Sequence, residues 1–316
     1  MGYLKLCLCF VILFRQTQAR NAKPDDPDER DEDQITIGWQ VGYEKWQRQC
    51  EKYELPATQQ EAAISTRIAN GELAQKDMFP YQAGLILQLG QGKYRQCGGS
   101  LITLQFVLTA AHCLIDSTRA KIYLGSNQYA NATDAQNVFQ VERQNFNVYP
   151  GYLGFGGYND LALLRLPRPA TPTSSIQTIP LARPFMQQSL LEGQLVTTLG
   201  WGALGDNLNV TKEQELEEDL LHYVTVRVLE QQLCLCYFLP GLVSSKRHIC
   251  SDGRGGRGGC QGDSGGPLVY RWHNVSYLIG LTTFGSAKGC ELGAPTVYTR
   301  VTAYLDWIVS KTNMES

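Results

Sequence analysis

The run Gly262-Asp263-Ser264-Gly265-Gly266-Pro267, two residues after Cys260, sets a hydroxyl between glycines. A serine hydroxyl is a poor nucleophile at its own pKa. Attack on a carbonyl needs a base to take its proton and donors to hold the oxyanion that forms. The glycines allow close approach to a substrate and leave the N–H groups of Gly262 and Ser264 free to point at one spot. Gly, Asp and Ser also dominate ordinary turns, so the string acquires chemical meaning only with partners. Of the four histidines, His112, His222, His248 and His273, only His112 ends an apolar-then-small run, Val107-Leu108-Thr109-Ala110-Ala111-His112-Cys113. That run predicts a buried strand closing on a cysteine-anchored turn. Asp160 enters the apolar stretch Leu161-Ala162-Leu163-Leu164, where an acid is costly to bury unless something hydrogen-bonds to it. A histidine N–H meets that need, because the carboxylate then fixes the tautomer and stabilises the imidazolium.

Thr109-Ala110-Ala111-His112-Cys113, Asp160-Leu161-Ala162-Leu163-Leu164 and Gly262 to Pro267 together resemble the chymotrypsin/trypsin family of serine endopeptidases. The chain order His, Asp, Ser is that family's and not that of subtilisins or α/β-hydrolases. The resemblance spans residue 68 to about 310. It implies His112 as general base and then general acid, Asp160 as its orienter and Ser264 as nucleophile, with the N–H groups of Gly262 and Ser264 as oxyanion hole. It further implies protein or peptide substrates, no cofactor, and a protein protease inhibitor as an additional partner. The family pattern suggests bridges Cys97–Cys113, clamping the His112 turn, and Cys260–Cys290, tying the Ser264 loop to a pocket wall. Cys250 is expected to bond to Cys236 or Cys234. The leftover cysteine of that pair would then bridge to Cys50 and tether the N-terminal segment.

The resemblance also implies a switch at Ser65-Thr66-Arg67-Ile68-Ala69-Asn70-Gly71. An activating protease of trypsin-like preference cuts after Arg67, and the new α-amino group of Ile68 turns inward to pair with Asp263. A buried carboxylate without a partner is expensive, so the oxyanion hole orders when the positive group arrives. In the family the residue six before the nucleophile sits at the floor of the specificity pocket, where an aspartate binds Lys or Arg. Here that residue is Gly258; a cationic side chain would be unpaired there and penalised. Gly285 leaves one wall open and Thr296 is expected to shorten the pocket. Medium apolar P1 side chains such as Leu or Met follow, with Arg257 or Lys288 offering a minor acidic alternative. Ser126 stands where the family's calcium loop needs its first glutamate, and no zinc-binding spacing occurs, so no metal is expected.

The elements that must position these residues read as short apolar runs bounded by Gly, Pro and Asn, which argue an all-β domain. The resemblance implies two six-stranded antiparallel β-barrels with a cleft between them. A closing helix is predicted from Thr302, as cap, through apolar residues 304, 305, 308 and 309.

Residues 1–19 read as a signal peptide, with Lys5, the apolar run Leu6–Phe14 and Ala19 for cleavage. The apolar run is too short to span a bilayer, so no membrane anchor is expected and the protein is placed outside the cell. Residues 20–67 read as a pro-segment containing the acidic linker Lys23–Asp33, and residues 68–316 as the catalytic domain. Loss of Cys7 and Cys9 with the signal leaves an even set, as in secreted disulfide-bonded chains. Sequons at Asn131, Asn209 and Asn274 suit that pathway. With 28 basic and 30 acidic side chains and no basic stripe, nucleic acid is not an expected partner. The rival from another class is a catalytically silent homologue that binds or regulates. Such a chain usually lacks one of Ser, His and Asp, and none is lacking here.

Overall fold

The computed structural model describes residues 42–53, 71–154, 157–186, 191–203, 206, 219–287 and 289–314. The chain divides into two units, Met1–Gln49 and Cys50–Ser316. In the first, residues 42–49 are helical. The expected signal peptide, the acidic linker, Arg67, Ile68, Asn209 and Lys288 lie outside the described residues.

The second unit is built of strands. The two-residue strand β1 (Glu72–Leu73) joins the later sheet, whereas the next seven form a sheet of their own: β2 (Gln82–Leu89), β3 (Tyr94–Thr103), β4 (Phe106–Thr109), β5 (Ser117–Leu124), β6 (Asn137–Glu142), β7 (Phe146–Val148) and β8 (Ala162–Arg165). Their order is β6-β5-β2-β3-β4-β8-β7. The later sheet adds β9 (Leu195–Gly200), β10 (His222–Arg227), β11 (His248–Ser251), β12 (Pro267–Trp272), β13 (Val275–Phe284) and β14 (Thr296–Arg300), in the order β1-β10-β9-β12-β13-β14-β11. All pairings between these strands are antiparallel.

Both sheets curl. In the first, β6 runs into β7 through the single 3-10 turn Arg143–Asn145, so its two edge strands are one stretch of chain. In the second, the bridge Val228↔Ser251 joins the end of β10 to β11. The all-β two-barrel reading therefore stands, while each sheet counts seven strands and not six. The additions are small: a two-residue β1, and a β6–β7 stretch interrupted by one turn.

Alternation in β4 and β8 shows how the core is divided. Successive side chains of a strand point to opposite faces. Val107 and Leu164 enter a first-barrel core with Leu85, Leu101, Ile122 and Phe139. Leu108 and Leu163 face the other way and meet Leu199, Leu281 and Ile308 in a layer between the barrels. At roughly 25 cal/mol per Å² of apolar surface, burial on both faces fixes the register of these strands, and that register delivers His112 and Asp160 to the interface. The closing helix spans Leu305–Thr312 and buries Ile308 in the same layer. Thr302 is not its cap. It lies in a preceding 3-10 turn, Val301–Tyr304, and no side chain caps the helix.

Candidate active site

His112 lies on the four-residue helix Ala111–Leu114 that follows β4 directly. The Cys97–Cys113 bridge ties that helix to β3. Asp160 opens the stretch leading into β8, which pairs with β4 so that Thr109 faces Ala162. Histidine and aspartate are thus brought together by one strand pair. The His112 backbone N–H donates to Asp160 Oδ1 at 2.8 Å, and its Nδ1 lies 2.7 Å from Oδ2. A carboxylate only accepts, so Nδ1 carries the proton and Nε2 presents its lone pair. Asp160 is 1% exposed, while the His112 side chain keeps 27%. The acid is sealed, and the base is open to what enters the cleft.

Asp160 itself is held from behind. Thr299 Oγ1 donates to its carbonyl oxygen at 3.0 Å. The preceding residue, Asn159, is buried and sits at φ +57°, a left-handed conformation that Asn tolerates better than most residues. Its amide donates to the Gly151 carbonyl at 2.5 Å. Its Oδ1 accepts from Arg247 Nη1 at 2.6 Å and from the Tyr304 hydroxyl at 3.0 Å. One residue thereby joins the 151 turn, the residue ahead of β11 and the 3-10 turn ahead of the closing helix, immediately beside the acid. The motif around Asp160 did not reveal this hub. Only the residue type Asn hinted at it, since Arg247 and Tyr304 are remote in sequence.

The Ser264 loop is pressed onto the first barrel. Gly265 has φ +76°, and a Cβ there would lie 2.2 Å from Thr109 Oγ1 and 2.7 Å from the Gly98 carbonyl oxygen. Glycine is required for that approach. Gly98 N–H donates to the Ser264 carbonyl at 2.8 Å, and Thr109 Oγ1 donates to the Gly98 carbonyl at 2.7 Å. The Cys113 sulfur stands 3.7 Å from both His112 Nε2 and the Ser264 carbonyl oxygen. Serine and histidine are therefore neighbours around the Cys97–Cys113 bridge. Gly262 has φ +100°. Neither its N–H nor that of Ser264 donates to another group among the described residues, as an oxyanion hole requires.

Asp263 points inward and is 1% exposed. Its Oδ1 accepts from Gly202 N–H and its Oδ2 from Cys260 N–H, both at 2.8 Å. Burial pushes its carboxyl up to about 6, against the pull of those two N–H groups.

A cavity of about 190 Å³ opens beside Ser264. Its walls come from Gly259–Gln261, from Thr282–Ser286 and from Ala294–Thr296. Gly285, in the lining, is exposed, and a Cβ there would meet nothing within 4 Å. Gly258 is not among the lining residues. It sits at φ +149°, and a Cβ there would lie 2.5 Å from Thr296 Oγ1. The buried Thr296 side chain occupies that space and lines the cavity. Arg257 is exposed and outside the lining. Phe284, half-buried, rests edge-on against Phe238 at 5.4 Å between ring centroids.

The disulfides settle two open pairings. Cys97–Cys113 and Cys260–Cys290 form as anticipated, Cys250 takes Cys234, and Cys236 takes Cys50. Cys–His and Cys–Asp clusters at Cys97/His112/Cys113 and Asp206/Cys260/Cys290 have their sulfurs consumed in these bridges. In the 126–134 loop, Asp134 Oδ2 accepts from Ser126 Oγ and from the N–H groups of Asn127 and Gln128, at 2.7–3.0 Å. That loop is closed on its own carboxylate. No helix among the described residues is long and apolar enough to cross a membrane.

A two-barrel fold with an Asp–His pair facing a glycine-flanked serine defines a serine endopeptidase. The Trypsin family profile matches residues 68–308, and the chain belongs to that family. It is 36% identical over 248 residues to Brachyurin of Leptuca pugilator, covering 78% of this chain and 99% of that protein. It is 35% identical over 249 residues to Collagenase of Hypoderma lineatum, covering 78% and 88%. Serine protease 1 of Drosophila melanogaster is 34% identical over 256 residues, covering 79% and 88%. A solved structure titled HL collagenase aligns with a TM-score of 0.69 at 34% identity, covering 78% of this chain and 99% of that one.

Proposed function

We propose that the protein is a secreted endopeptidase, made as a zymogen, that cleaves after medium apolar residues through Ser264, His112 and Asp160. The observation that carries the reading is the two-point contact between His112 and a sealed Asp160, with Ser264 adjacent across the same bridge. His112 Nε2 takes the Ser264 Oγ proton as the oxygen attacks the scissile carbonyl. The oxyanion is received by the N–H groups of Gly262 and Ser264. The imidazolium gives its proton to the leaving amine, whose C–N bond breaks to leave an ester on Ser264. Water then attacks that ester, with His112 again as base, and restores the serine.

Activation rests on cleavage after Arg67 and delivery of the Ile68 ammonium to Asp263. A buried carboxylate held by only two N–H groups, with its pKa raised by desolvation, is suited to receiving a cation. The Cys50–Cys236 bridge keeps the segment ahead of Arg67 covalently attached after the cut. The Tyr53 hydroxyl, which donates to Glu230 Oε1 at 2.8 Å, adds a polar contact beside it. Preference for Leu or Met follows from a cavity lined by Thr296 and lacking an acidic group. Collagen belongs in the substrate panel because one relative is named for it.

The test is to cleave the chain after Arg67 and add a fluorophosphonate probe, with Ser264→Ala alongside. Labelling confined to the cleaved wild type is expected. A cleaved wild type that stays unlabelled would sink the reading and favour a silent homologue. Strong cleavage after Lys or Arg in a P1 peptide library would refute the pocket assignment.

A further inference from the structure

Strands β12 and β13 are joined by a two-residue turn, His273–Asn274, closed by the pair Trp272↔Val275. Both turn residues have positive φ, 46° and 63°, as in the type I′ turns that favour tight hairpins. Asn274 is exposed, begins the sequon Asn274-Val275-Ser276, and its amide bonds to no other described residue. The other described sequon differs. Asn131 Nδ2 donates to Gln128 Oε1 at 2.7 Å, and its Oδ1 accepts from Thr133 N–H, Thr133 Oγ1 and Asp134 N–H at 2.6–3.3 Å.

Beside the Asn274 turn the protein leaves aromatic surface in water. Trp272 is 38% exposed and Phe185 47%, and their rings meet edge to face at 5.1 Å. Val275, opposite Trp272 across the turn, is 43% exposed. Directly paired residues project on the same face of a hairpin, so Trp272, Val275 and Phe185 make one apolar patch at the foot of the sequon. Exposed aromatic surface of this kind is suited to packing against an apolar face of a ligand. A pyranose ring has an apolar C–H face that packs on an indole.

We propose that Asn274 carries an N-linked glycan whose first N-acetylglucosamine lies over Trp272 and Phe185. The inference rests on the secretion included in the reading above. In the transfer, the bond between sugar C1 and Asn274 Nδ2 forms as the bond from C1 to a lipid-linked diphosphate breaks. The diphosphate leaves, and the amide proton passes to the transferring enzyme. The glycan then acts as a lid made by modification, over aromatic surface that the described residues, His273 with its ring centroid 4.3 Å from that of Trp272 included, leave partly in water.

The test expresses the full chain in a eukaryotic secretory host and maps glycopeptides. Acrylamide quenching is then compared for three forms: intact, trimmed enzymatically to the single N-acetylglucosamine, and fully deglycosylated. Trp272→Phe isolates this residue among the five tryptophans. Expected is near-complete occupancy at Asn274. Quenching is unchanged by trimming, rises for the Trp272 component when the last sugar is removed, and shows no such rise in Trp272→Phe. Secreted protein bare at Asn274 but glycosylated elsewhere overturns this inference alone, as does an occupied Asn274 with Trp272 equally quenched in all three forms. A chain retained in the cell without sugar overturns the secretion reading and this inference together. Fluorophosphonate labelling reports separately on catalysis.

Discussion

The two barrels hold their shares of the active site by different means. In the first, His112 is fixed by folding alone: a disulfide to β3, a backbone N–H and a ring N–H on one carboxylate, and a hub at Asn159 behind that carboxylate. In the second, Ser264 rides on a loop whose shape depends on glycines at positive φ and on a buried acid that meets only two N–H donors. The base side is complete as folded, whereas the nucleophile side contains an unpaid charge. This difference teaches where control can be exercised. Under the proposed activation, a cation supplied to Asp263 would act on the oxyanion loop and leave the His112–Asp160 pair untouched.

The largest expected effect breaks the completed side. Asp160→Asn should lower kcat on the order of 10⁴-fold, the size associated with this type of triad, with the fold retained by circular dichroism. On the contingent side, Asp263 governs stability. Its folded pKa of about 6 exceeds the ordinary carboxylate value, so its contribution is full below about pH 4 and is lost as pH rises through about 6. The shift corresponds to on the order of 3 kcal/mol. Thermal unfolding of the uncut chain should therefore weaken from pH 4 to 7. Asp263→Asn should flatten that decline, and cleavage after Arg67 should recover stability at neutral pH. An uncut chain with no such decline would remove Asp263 from this role.

Asn159→Ala tests the hub. It forces a left-handed φ on alanine and deletes three hydrogen bonds, for about 2 kcal/mol of stability. A loosened Asp160 should also lower kcat about tenfold with KM nearly unchanged, and the acidic limb of the kcat profile should move. A loss of stability without any change in that profile would make Asn159 merely structural. Thr296→Gly should deepen the cavity and raise kcat/KM for Phe over Leu at P1 by about tenfold. The smallest effect is expected for the double change Cys50→Ser with Cys236→Ser. After the Arg67 cut the N-terminal segment should separate on a nonreducing gel, while peptide hydrolysis stays within about twofold, since the bridge touches no reacting group.

Much of the site was legible because its residues sit in local strings. Ser264 with its glycines, His112 at a strand end and Asp160 entering an apolar run each carry their own signal. Short apolar runs bounded by Gly, Pro and Asn likewise signalled the strands, whereas the alternation that separates Val107 from Leu108 shows itself only in the two cores it feeds. What escaped depends on residues that meet only in space. Arg247 and Tyr304 converge on Asn159 from just ahead of β11 and from the 3-10 turn that precedes the closing helix, and no spacing rule links them. The choice between Cys234 and Cys236 turned on which face of one short helix, Gln231–Tyr237, looked toward Cys250. Thr302 resembled a cap, but the chain tightened into a 3-10 turn before the helix began. The family resemblance places Gly258 at the pocket floor, and its offset from Ser264 carries no information about the Thr296 hydroxyl that stands where a Cβ would go.

That filled space bears on how this enzyme's preference could change through mutation. An acidic side chain introduced at 258 would meet both a backbone angle that disfavours any Cβ and the Thr296 hydroxyl 2.5 Å away. Clearing Thr296 first removes the steric obstacle, leaves the backbone strain at 258, and by itself yields only a roomier cavity. Under the proposed pocket, a route to cleaving after Lys or Arg is thus epistatic: Thr296 must be cleared before an acid at 258 has room, and that first step supplies no carboxylate for a basic side chain.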